Sequence, residues 1–121
     1  MVDALGNPLD FVLTGGQVHD VTQAPTLLTG PCGDYVIADQ SYDATPLLEL
    51  IESQGAIPVI PARACRKEPR GYDRDLYKER QVVECFVNKI KQYRHIFSRF
   101  DQLASRYLSF LHFVSTLVWL R

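Results

Sequence analysis

Tyr77, Arg80, Glu84, Asn88 and Lys91 follow one another at intervals of three, four, four and three residues. At about 100° per residue, this spacing gathers all five on one face of a helix. The opposite face collects Val83, Phe86, Ile90, Tyr93, Phe97 and Phe100, so such a helix has an apolar stripe to bury and an ordered polar side to present. Arg can grip a phosphate with a bidentate fork, and Lys can act as a mobile point charge. On spacing alone, the commoner meaning of a Tyr-Arg-Glu-Lys face is a solvated helix held by i,i+4 ion pairs.

The charge distribution gives that face a context. The net charge of −1 conceals a strong asymmetry. All thirteen Lys and Arg residues lie from Arg63 onward, whereas eight of the fourteen carboxylates lie up to Glu52, giving −8 in the first half and +7 in the second. This points either to a polyanion-facing surface in the second half, with an acidic cluster in the first for a cation to neutralise, or to two halves that attract each other once folded.

The elements that must position these residues can be read from pattern. Residues 5–8 (Leu-Gly-Asn-Pro) read as a tight turn and 9–14 as a half-buried strand, with Leu9, Phe11 and Leu13 on the apolar side. Residues 21–28 suit a short helix capped by Asp20 and limited by Pro25. The continuous apolar run 35–38 predicts a central strand covered on both faces and ending at Asp39. Thr45 and Pro46 mark a helix start, with Thr45 as N-cap, and Gly55 marks its stop. A second apolar run at 56–60 completes a βαβ unit, which requires parallel pairing. Residues 61–72, rich in Pro, Arg and Gly, suggest an exposed basic loop suited to phosphate, and the remainder predicts two helices over 75–101 and 105–120.

With 121 residues and 46% hydrophobic content, one domain with one core is expected. Cys32, Cys65 and Cys85 are odd in number and without zinc-finger spacing, as in reduced cytoplasmic proteins. The N-terminus lacks a basic region and an uninterrupted apolar run, which argues against secretion. The apolar stretch 107–120 falls short of the ~20 residues of a membrane span, so a buried helix is expected there.

Tyr77, Arg80, Glu84 and Lys91, with two, three and six residues between them, resemble the Tyr-Arg-Glu-Lys signature of DDE-type insertion-sequence transposases of the IS-four and IS-five group. Upstream, 37–43 (Ile-Ala-Asp-Gln-Ser-Tyr-Asp) resembles the segment holding that group's second catalytic Asp. The tract 93–101 and the closing apolar helix resemble the region that group carries downstream of its signature. The resemblance covers essentially the whole chain. It implies an α/β fold, a truncated RNase H-like catalytic domain over 1–121 with a C-terminal helical region.

Its implied chemistry is metal-dependent cleavage and strand transfer of DNA. Asp39 and Glu84 would be catalytic residues and ligands of two Mg²⁺ or Mn²⁺ ions, one activating the attacking water or 3′-hydroxyl, the other stabilising the departing oxygen. Tyr77, Arg80 and Lys91 would contact DNA phosphates near the transferred end. The family's first catalytic Asp belongs to a strand before the matching segment and is expected to be missing, Asp3 being a poor substitute; the chain alone would then be inactive. The alternative is a basic DNA-binding or oligomerising remnant that joins copies of itself or a full-length transposase. A bacterial cytoplasmic location beside the nucleoid is implied, with no membrane partner. His19, His95 and His112 are dispersed over unrelated elements and suit structural or surface roles, and Trp119 suits packing.

Overall fold

The two short apolar runs form the only regular sheet among the described residues, which in this computed structural model are 1–30, 32–93 and 103–120. β1 (Tyr35–Ile37) pairs in parallel with β2 (Ile57–Val59), with Tyr35 opposite Ile57, Val36 opposite Pro58 and Ile37 opposite Val59. The Ile57 N–H donates to Asp34 O at 2.8 Å, so by alternation the position without a donor, Pro58, falls on the outer side of the ladder. Full coverage of the first strand is not found: Tyr35 is exposed and Val36 and Ile37 are half-buried. The sheet has two strands, each of three residues, and one short helix layer cannot cover both faces.

The crossover helix follows the sequence signals closely. A 3₁₀-helical, then α-helical segment (Asp20–Gln23, then α1, Ala24–Leu27) precedes β1, and α2 (Thr45–Ser53) links the strands. The α2 N-cap is Ala44, one residue before the expected Thr45, and His19 rather than Asp20 occupies the cap of the first segment. At the α2 C-terminus, Gly55 adopts φ 79°, Gly55 N–H donates to Glu52 O and Ala56 N–H donates to Ile51 O. This double closure is a Schellman motif, and glycine adopts its left-handed position without a Cβ clash. Leu47, Leu48 and Ile51 then point into a core with Ala24, Leu28, Ala56 and Ile60.

Past residue 72 the chain departs from expectation. The apolar spacing predicts one long helix; α3 (Arg74–Lys78) and α4 (Gln81–Lys91) are found instead. Asp73 caps α3 by accepting from the Asp75 and Leu76 N–H groups, and the last turn tightens through Glu79 N–H to Leu76 O and Arg80 N–H to Tyr77 O. Helix resumes at Gln81. The part of the predicted helix at 94–101, including His95, Phe97 and Phe100, lies outside the described residues. α5 (Ala104–Trp119) matches the extent of the second predicted helix but not the expected burial, since only Leu111, Val114 and Ser115 are buried and Phe113 and Trp119 are exposed; no helix of the described residues is long and apolar enough to cross a membrane.

The chain divides into two compact units, Thr14–Arg80 and Met1–Leu13 with Gln81–Arg121. The second has its own core, in which Phe86, Ile90, Leu111 and Val114 are buried and Phe11 stacks on Phe86 with ring centroids 6.0 Å apart. The expected strand at 9–14 is absent; Phe11 packs as a single anchor, and the pairing found nearby is one antiparallel bridge between Val2 and Pro8. Trp119 Nε1 donates to Pro8 O at 2.7 Å, closing the same unit.

Candidate functional site

Asp39 stands one residue beyond the Ala38 that follows β1, exposed, with φ −80° and ψ 174°. It caps a 3₁₀ turn (Gln40–Tyr42), and both the Ser41 N–H, at 2.8 Å, and the Ser41 hydroxyl donate to its Oδ1. Among the described residues, every hydrogen bond to this carboxylate falls on Oδ1, which leaves Oδ2 unengaged. Such an arrangement orients a hard oxygen donor without consuming it, which suits a divalent cation ligand.

Asp43, four residues on, has the opposite environment. It is buried; its Oδ2 accepts from the Arg63 N–H at 2.8 Å and Arg66 Nε at 3.0 Å, and Arg66 Nη2 lies 2.7 Å from Oδ1. Burial by itself would push this carboxyl up, but the hydrogen bonds from Arg63 and Arg66 and the charges of both outweigh it and hold the group below its ordinary value of 3.8. With both oxygens engaged, Asp43 is a structural anion. Tyr42, between the two carboxylates in sequence, is pushed up by burial first and then by the charges of Asp20 and Asp39.

The basic loop after β2 is therefore not simply open to phosphate. The Arg63 guanidinium donates to Gln40 O and, at 2.6 Å, to Ser41 O; Gln40 Nε2 donates to Ala62 O at 3.1 Å; Arg70 pairs with Glu52. Attraction between oppositely charged halves is realised here within the unit Thr14–Arg80. Sequence reasoning missed Ser41, Asp43, Arg63 and Arg66, although a buried Asp needs a cationic partner and the Arg63 and Arg66 pair is the first that the chain offers after it.

The five-residue polar face is divided by the break at Glu79 and Arg80. Tyr77 and Arg80 are brought together, with the guanidinium carbon 5.7 Å from the ring centroid of Tyr77, whose edge also meets Tyr72 at 5.5 Å. Glu84, Asn88 and Lys91 are exposed on α4, while Phe86 and Ile90 on its other side are buried. Val83, expected in the apolar stripe, is 42% exposed. Asp39, Tyr77 and Arg80 belong to the unit Thr14–Arg80, and Glu84 and Lys91 to the other.

The remaining candidates have local roles. Asp3 accepts from the Leu5 and Asn7 N–H groups on Oδ1 and from Asn7 Nδ2 on Oδ2, an arrangement that holds its turn. His19 O accepts from the Thr22 hydroxyl, His112 meets Phe11 edge-on at 5.6 Å, and the three cysteines are free. Among the described residues, no three His, Cys, Asp or Glu side chains gather as a metal-holding group.

Comparison with known proteins decides the family. Residues 1–116 match the family described as Transposase DDE domain. The chain belongs to that family. It is similar to a Brucella ovis protein named as a transposase for insertion sequence element IS6501, with 40% identity over 123 residues that span 100% of this chain and 95% of the relative. It is also similar to a Burkholderia cepacia protein named as a transposase for insertion sequence element IS402, with 32% identity over 92% of this chain and 56% of that longer relative. No solved structure matches. The transposase DDE domain implies an RNase H-like fold, to which the parallel β1 and β2 with α2 between them conform, and the family generally uses divalent metal ions.

Proposed function

We propose that this transposase chain forms part of one catalytic domain of the IS-four and IS-five group, carrying out metal-dependent cleavage and strand transfer of DNA with Asp39 and Glu84 as metal-holding carboxylates. The observation that carries this reading is the contrast between Asp39, exposed at a strand end with Oδ2 unengaged, and Asp43, whose oxygens are saturated by arginine. Glu84 is presented on the exposed face of α4 by the burial of Phe86 and Ile90. When bound, two Mg²⁺ or Mn²⁺ ions would activate a water or 3′-hydroxyl and stabilise the departing oxygen. The residues' own task is to hold oxygen donors in place and to grip the DNA. Arg80, pre-oriented over Tyr77, offers a planar fork for a phosphate, and Lys91 supplies a point charge on the same helix as Glu84.

In the family pattern three carboxylates serve this chemistry, and Asp3, committed to its own turn, is not a substitute for the third. The 121 residues by themselves are accordingly expected to bind DNA without cutting it. The test is cleavage of a transposon-end duplex with Mn²⁺. The chain alone should leave it intact, and fusion to a strand-bearing segment that supplies the family's first Asp should yield nicked product, abolished by Asp39→Ala or Glu84→Ala. Cutting by the unfused chain, or by either fused variant, sinks the assignment. In parallel, binding should weaken with salt at a slope of about −0.9 per phosphate contacted, and Arg80→Ala with Lys91→Ala should flatten that slope by about two such contacts.

A further inference from the structure

We infer that Ser41 and Arg63 are positioning residues for Asp39, with Asp43 and Arg66 as their anchor. This inference rests on the reading of Asp39 as a metal ligand. The connections form one continuous path. Asp43 fixes the Arg63 backbone through its N–H at 2.8 Å, and holds Arg66 by a two-point pair. From that fixed point the Arg63 guanidinium reaches back to Gln40 O and Ser41 O, while Gln40 Nε2 returns a hydrogen bond to Ala62 O. The turn so clamped is the one whose Ser41 N–H and hydroxyl orient Asp39 Oδ1.

The physical logic is that a carboxylate on an exposed turn has several rotamers, and a cation meets an oriented oxygen only in some of them. Two donors from Ser41 select one rotamer; the Arg63 fork keeps Ser41 where it can do so. Residues that orient a metal ligand typically govern metal affinity by about 10- to 100-fold. Because the Arg63 N–H to Asp43 bond is made by the backbone, Arg63→Ala removes the clamp on the turn and keeps the anchor.

The experiment is a Mn²⁺ titration of the 121-residue chain, the metal alone as probe, read by paramagnetic broadening of the backbone amide signals of Gln40, Ser41, Tyr42 and Asp43. Ser41→Ala and Arg63→Ala should each raise the Mn²⁺ concentration for half-broadening by about tenfold, while Ser41→Thr, which retains the hydroxyl, should stay within about threefold of the parent. In the metal-free protein, Arg63→Ala should speed hydrogen exchange of the Ser41 amide. Unchanged half-broadening in Ser41→Ala and Arg63→Ala, with Asp39→Ala abolishing it, overturns the positioning role and leaves Asp39 as ligand. Broadening that survives Asp39→Ala overturns the ligand reading itself, and this inference with it. Thermal unfolding of each variant separates either result from loss of fold, and Ser41→Thr failing like Ser41→Ala in a folded protein also counts against the inference.

Discussion

Asp39 and Glu84 are held by different physics in the two units. Around Asp39 the chain is irregular, and position comes from polar contacts: a Ser41 turn, an Arg63 fork and a buried Asp43 and Arg66 pair. Around Glu84 position comes from helical phase. Phe86 and Ile90 sink into an apolar core with Leu111 and Val114, and Glu84 points outward because it lies on the other side of the same helix. The polar mode specifies a carboxylate's rotamer but depends on ionisation. The apolar mode aims a helix face and is indifferent to pH.

The largest expected effect tests the apolar mode. Phe86→Ala should cost about 3–4 kcal/mol in urea unfolding, since a large side chain that is 4% exposed leaves a cavity and loses its stacking with Phe11. The loss should be the same at neutral pH and at about pH 5; a loss below about 1 kcal/mol would mean that α4 is not held by this core.

Asp43→Ala comes next, at about 3 kcal/mol near neutral pH, because it leaves the Arg66 charge without the carboxylate it pairs with. Its pH dependence sharpens the comparison. The folded-state carboxyl of Asp43 is depressed below 3.8, so its contribution is fully present above that value and is lost as pH falls through the depressed one. The gap in stability between parent and Asp43→Ala should thus be flat at neutral pH and narrow below 3.8. A gap that widens on acidification would contradict the ion pair.

The smallest effect separates backbone strain from contacts. Gly55→Ala places a Cβ where nothing lies within 4 Å, so the cost should be that of the left-handed φ of +79° alone, about 1 kcal/mol. Gly6→Ala meets the same strain at φ +83° and also brings a Cβ to 3.1 Å from Val82 Cγ1, so it should cost more unless Val82 yields. Equal thermal shifts for the two variants would show that the Val82 contact is soft.

Where signals were local, the sequence was readable. Pro46 and Gly55 bracketed α2 to within a residue, and the apolar runs beside it announced β1 and β2 and their parallel pairing. The segment 9–14 misled because alternation alone does not make a strand; Phe11 found an aromatic partner on α4 and no ladder formed. The break between α3 and α4 carries no Gly or Pro signal at Glu79 or Arg80; the apolar stripe itself begins only at Val83, with the charged Glu79 and Arg80 four and three residues before it.

For the candidate site, residue types and gaps were enough to single out Asp39, Tyr77, Arg80, Glu84 and Lys91, because a motif is a statement about order along the chain. They placed Asp39 at the end of the first strand but gave no role to Asp43, four positions on in the same motif. Only the fold supplies one. It brings Arg63 and Arg66, twenty or more residues downstream, onto Asp43 and leaves Asp39 Oδ2 unengaged. Ionic partners depend on three-dimensional proximity and desolvation, neither of which is written in local spacing.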